Sequence, residues 1–148
     1  MSVISEEFFQ KILNNLSELH GIAVFGSVTE PGYSQVKNRA SLVFALEVLL
    51  ERHREKHGTL WSPLPGKLAL LHLILQKYKW PLSEIKALTL QESVFLLQEE
   101  LKFENLPDLA QRVLKNYLAD RAEHYFAEIR EEEWDPDLYL TIPKPQRW

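Results

Sequence analysis

The stretch from Leu64 to Leu101, LPGKLALLHLILQKYKWPLSEIKALTLQESVFLLQEEL, constrains this chain most, because two strongly apolar patterns of helical period flank a Trp80-Pro81 break. Between Leu68 and Leu75 the only polar side chain is His72. His72, Gln76 and Lys79 follow at i, i+4 and i+7, which puts them on one narrow stripe of an otherwise apolar helix. Such a helix needs cover on most sides and reads as the central helix of a globular core. At about 14 residues it falls short of the roughly 20 apolar residues that a bilayer span requires.

Helical signals run through the rest of the chain. Ser5 precedes Glu6 and Glu7, then Phe8, Phe9, Ile12, Leu13, Leu16 and Leu19 recur at helical spacing, and Gly21 follows as a C-cap, so a first helix is predicted over 5–20. Ile22 to Tyr33, with Gly26 and the Pro31-Gly32 turn signal, reads as an ordered connection without a sheet partner. Ser34 then caps a second helix that stops at Gly58. Its middle, Leu42 to Leu50, has Glu47 as the only polar side chain, and its last two turns, Glu51 to His57, are polar all round and predicted to project into water. Thr59 to Gly66, with two prolines, reads as a loop.

Beyond Trp80-Pro81, Ser83 opens a short helix, and Thr89-Leu-Gln-Glu92 forms a capping box for a helix through Lys102. Asn105 and Pro107 open a last long helix, predicted to continue to about Glu133. The tail WDPDLYLTIPKPQRW has three prolines and should be extended. The expected fold is all-α: a single-domain bundle of five to six helices over 1–133, with an extended tail at 134–148 docked on it.

A chain of 148 residues with 45% hydrophobic and 26% charged residues suits one folded domain. The absence of cysteine excludes disulfides and every Cys-ligated metal or cluster. A net charge of −4 and a pI near 5.7 disfavour phosphate backbones and anionic membranes as partners. The first ten residues, MSVISEEFFQ, lack the basic and apolar regions of a signal peptide, so cytoplasm is the expected compartment.

Chemical motifs are weak. Val24-Phe25-Gly26-Ser27 resembles the start of a nucleotidyltransferase site, yet the residues that follow carry only Glu30 where such enzymes need paired carboxylates for Mg²⁺. His53 and His57 stand four apart on a helix, within reach of one metal, with Glu51 or Glu55 as oxygen donors. Arg54 occupies the place of the glutamate in a zinc-protease motif and supplies no base. His20, His72 and His124 are scattered, with His124 and Glu128 the remaining acid–base pair at helical spacing. Residues 81–101 have the rhythm of a helix-turn-helix, but Glu92, Glu99 and Glu100 face phosphates badly. Residues 80–92, WPLSEIKALTLQE, resemble a short stretch seen in small phage tail-assembly proteins, a likeness built of capping residues and leucines that transfers no function.

The remaining signal is the acidic, aromatic C-terminal region. Acids at a helix C-terminus oppose the dipole, so Glu131, Glu132 and Glu133 are not explained by helix stability. With Trp134, Asp135, Asp137, Tyr139 and Trp148 they form the candidate partner-binding set. The expected function is a protein-binding module, a regulator, adaptor, chaperone or inhibitor-like protein without catalytic chemistry, cofactor or metal. Its expected partner is a protein, basic by charge complementarity, and not nucleic acid or membrane. The flank at Leu42 to Leu50 leaves room for a homodimer. The competing expectation is an enzyme whose site assembles only in three dimensions, and a helix-turn-helix-like nucleic-acid binder comes third.

Overall fold

A computed structural model describes residues 3–142. Among them lie six α-helices: α1 (Glu6–His20), α2 (Gly32–His57), α3 (Lys67–Tyr78), α4 (Leu82–Lys86), α5 (Leu90–Leu96) and α6 (Asp108–Asn116). Short 3₁₀ turns occupy Phe103–Asn105, Ala119–Arg121, Glu131–Glu133 and Leu138–Thr141. The expected all-α, single-domain fold is the one observed, and no helix among the described residues is long and apolar enough to cross a membrane.

α1 is specified locally at both ends. Ser5 Oγ accepts a hydrogen bond from Phe8 N at 3.1 Å, and Gly21, at φ +66°, lets the chain turn left-handed so that Ile22 N closes on Ser17 O. Its apolar stripe, Phe8, Phe9, Ile12, Leu13 and Leu16, is buried, with Phe9 edge-on to Phe44 of α2 at 5.5 Å between ring centroids.

The central helix is α2 and not α3, which corrects the expectation drawn from α3's apolar composition. α2 packs against α1, α3, α6 and the turn at Ala119–Arg121, and 12 of its 26 residues are buried. α3 buries only Ala69, Leu70 and Ile74, and Leu68 is exposed. Length decides the matter, since the longest helix offers several flanks to several neighbours at once. The flank from Leu42 to Leu50 is largely buried within the chain, with Leu42 and Leu49 half-buried.

Two further differences concern α2. It starts at Gly32, two residues before the Ser34 cap, because Glu30 accepts from Ser34 N at 2.8 Å and from Ser34 Oγ, leaving Ser34 inside the first turn. Its last two turns are not polar all round, because His53 is buried where α3 crosses.

The capping box of α5 is present. Thr89 Oγ1 accepts from Glu92 N at 3.1 Å, and Glu92 Oε1 accepts from Thr89 N at 2.9 Å. These bonds hold the Glu92 carboxyl below the usual carboxylate range. Thr89→Ala is expected to lower stability by about 1 kcal/mol in urea denaturation. An unchanged midpoint would mean that the tertiary contacts of α5 alone hold its first turn.

The largest departure is the last helix, which ends at Asn116 and not near Glu133. Leu118 turns left-handed at φ +56°, and the residues up to Arg130 run without regular structure beyond the turn at Ala119–Arg121. Their carbonyls are taken by α2 side chains. Lys37 Nζ donates to Tyr117 O at 2.9 Å and Asn38 Nδ2 to Ala122 O at 2.7 Å. Arg39 donates to Phe126 O at 2.9 Å and to Glu128 O at 3.0 Å. Every carbonyl so engaged is one that a continued helix would have used for itself.

Candidate functional site

The acidic, aromatic region divides between inward and outward residues. Glu133 has a fully buried side chain whose carboxylate accepts from Arg39 Nη1 and from His20 Nε2, the latter at 2.9 Å. His20 stacks on Phe126 at 4.2 Å between centroids, and its Nδ1 accepts from Arg130 at 3.1 Å, which fixes the ring tautomer. Trp134 is buried and donates through Nε1 to Glu47 at 2.6 Å. Glu131 accepts from Leu90 N at 2.6 Å, serving the amino end of α5. Glu132, Asp135 and Asp137 are exposed, with Asp135 accepting from Asp137 N at 3.0 Å. Trp148 lies outside the described residues.

Tyr139 leads to a different surface. Its hydroxyl accepts from Gly66 N at 3.2 Å, and its ring lies 4.0 Å from the Arg54 guanidinium. Arg54 in turn donates to Leu64 O at 2.9 Å and to Gly66 O at 3.0 Å. Gly66 stands at φ +57°, a conformation that side chains disfavour, and a Cβ there would also displace the Asp137 carboxylate 2.8 Å away. Arg54 and Tyr139 thus clamp the base of the loop between α2 and α3.

The tip of that loop is exposed. Thr59 N donates to Ser62 O and Ser62 N donates to Thr59 Oγ1, both at 2.9 Å, closing a turn whose two central residues are Leu60 and Trp61. Leu60 is 88% exposed and Trp61 90%. Around the loop, Arg52, Lys56 and Lys67 are exposed cations against the exposed carboxylates of Glu55 and Asp137. The sequence marked this segment as a loop, but a Leu-Trp pair between turn residues carries no local sign of whether it is covered.

Beside the loop, the structure joins His72 to the pair His53 and His57. His53 Nε2 and His72 Nδ1 share a hydrogen bond of 2.8 Å, and the three ring centroids are 4.5, 5.0 and 5.4 Å apart. Burial, then the neighbouring imidazoles and cations, push the His53 pKa down to about 4, so its ring is neutral at pH 7. His53 and His57 line a cleft of about 650 Å³ together with Arg52, Lys56, Gln76, Lys77 and Glu100. His124 is exposed and lies near Glu30.

Two other motifs change meaning in three dimensions. Phe25, Gly26 and Ser27 form a bend with no strand before it, so the phosphate-holding turn suggested by this tetrapeptide is missing its scaffold. In the segment with helix-turn-helix rhythm, α5 presents Gln91, Glu92 and the 76% exposed Phe95 to solvent, beside shallow clefts of about 440 and 450 Å³. In comparisons with protein-family models, with curated proteins and with solved structures, nothing matches this chain.

Proposed function

We propose that the chain is a small protein-binding module that anchors itself by inserting Leu60 and Trp61 into an apolar pocket of another protein. The observation that carries this reading is a Leu-Trp pair about nine-tenths exposed on a turn whose base is clamped by Arg54, Tyr139 and two prolines. Holding large apolar side chains in water is unfavourable, on the order of 2 kcal/mol for a leucine, and a partner's pocket recovers that energy. A braced turn loses little conformational freedom on docking, and tryptophan is the residue most enriched at the energetic centre of interfaces. The exposed cations beside the turn favour an acidic rim on the partner, opposite in sign to the preference of the acidic tail. A membrane is the weaker target, because even a single myristoyl chain gives only marginal anchoring and this tip offers less apolar surface.

The test selects partners from a displayed library with the wild-type chain and measures their affinity for variants. Trp61→Ala is expected to weaken binding about 30-fold, equivalent to about 2 kcal/mol, while its own stability changes by less than about 0.5 kcal/mol. Phe95→Ala, at an exposed aromatic elsewhere, should bind as the wild type does. Partners held equally well without Trp61, or co-sedimentation with anionic vesicles that depends on Trp61, would overturn the reading.

A further inference from the structure

We propose that His53, His57 and His72 form a binding site for a divalent first-row transition ion of the Zn²⁺ class. It rests on side chains that sequence spacing could not associate, since His72 joins the other two only because α3 crosses the end of α2.

As the rings now stand, no three such donors among the described residues meet at one point. The spacing of the rings is nonetheless that of a ligand set. An ion about 2.1 Å from each of three imidazole nitrogens at tetrahedral angles puts the ring centroids about 5.2 Å apart. The observed separations of 4.5, 5.0 and 5.4 Å bracket that figure. Two nitrogens bound to one such ion lie about 3.4 Å apart, so the 2.8 Å contact between His53 and His72 has to open by only about 0.6 Å. The ion replaces the proton that the two rings now share. His57 is exposed, so its ring turns inward without disturbing the core.

The surroundings suit the ion. His53 is buried and already in hydrogen-bond contact with His72, so two of the three rings are held together by the fold. Of the cations adjacent in sequence, Arg54 is directed to Leu64 O, Gly66 O and the ring of Tyr139. Three histidines leave a coordination position for water or an incoming ligand. The cleft lined by His53 and His57 also holds Glu100, whose Oε1 pairs with Lys77 at 2.6 Å and whose Oε2 is buried without a hydrogen-bond partner among the described residues. Arg52 and Lys56 in the same cleft favour an anion in that remaining position.

The experiment uses the full, tag-free chain stripped with chelator, then titrated with Zn²⁺ by calorimetry and with Co²⁺ by visible absorption. One equivalent per chain is expected, with the intense Co²⁺ bands of a four-coordinate site and a rise in melting temperature on Zn²⁺ addition. His57→Gln and His72→Gln should each weaken binding at least tenfold, and His57→Gln should leave the melting temperature of the metal-free chain unchanged. Absence of saturable binding, or several weak equivalents indifferent to both substitutions, would overturn the proposal. Neither result depends on Trp61, so this site and the binding turn stand or fall separately.

Discussion

Replacing Arg39 by alanine is expected to cost about 3–5 kcal/mol, the usual result of removing one partner from a buried ion pair. Arg39 is 3% exposed and bonds the buried Glu133 carboxylate as well as the carbonyls of Phe126 and Glu128, with its guanidinium 5.5 Å from the Phe126 ring centroid. Alanine leaves Glu133 in place with His20 as its remaining partner and strips two carbonyls of their donor. For a chain of this size the melting temperature should fall on the order of 10 °C. Because Arg39 holds the carboxyl-terminal end of the irregular segment through Phe126 O and Glu128 O, early proteolysis between Ala122 and Arg130 should accompany the loss. The double change Arg39→Met with Glu133→Leu should cost less than Arg39→Ala alone, since it removes the stranded charge along with its partner. Urea denaturation of the three chains decides it: a loss below about 1 kcal/mol for Arg39→Ala would show that other contacts hold the segment.

A second large effect is expected from Glu47. Its side chain lies inside α2's apolar flank, with Oε1 accepting from Trp134 and Oε2 buried without a partner among the described residues. Burial raises its pKa from the ordinary 4.5 to about 7, outweighing the Trp134 hydrogen bond and the attraction of Arg54. The folded chain therefore keeps this proton through a range in which the unfolded chain has released it. Stability should fall as pH rises from about 4.5 to about 7 and level off above, by on the order of 3 kcal/mol in all. Glu47→Gln retains an acceptor for Trp134 and carries no charge at any pH. It should match the wild type near pH 4.5, exceed its stability at pH 8 by that amount, and flatten the profile between. Equal pH profiles for the two chains from pH 5 to 8 would contradict the assignment. The comparison between variants isolates this carboxyl from every other group that titrates in the same range.

The elements legible in the sequence are those whose determinants lie within a turn or two of each other. Ser5 and Gly21 bound α1, and Thr89 with Glu92 opens α5, because a cap is a bond between near neighbours. Glu47 stood out as the one polar side chain in an apolar run, although nothing local said that its partner was Trp134. The candidate partner-binding set was legible as composition only. Glu133 and Trp134 turn inward because Arg39, His20 and Glu47, all far away in the chain, supply partners for their polar atoms.

What the sequence by itself determined was an all-helical chain with its first helix, its long second helix and its proline-marked loop in place, since helix periodicity and capping are short-range physics. Tertiary structure decided the rest. Residues 117–130 contain good helix formers, yet Lys37, Asn38 and Arg39, about 80 to 90 positions earlier, occupy their carbonyls and end the helix at Asn116. The same crossing of α2 and α3 joined His72 to His53, while the clamp of Arg54 and Tyr139 on the loop base left Leu60 and Trp61 in water. A hydrogen-bonding group takes the best partner that the folded chain brings within 3 Å or so, and for these groups that partner was never a neighbour in sequence.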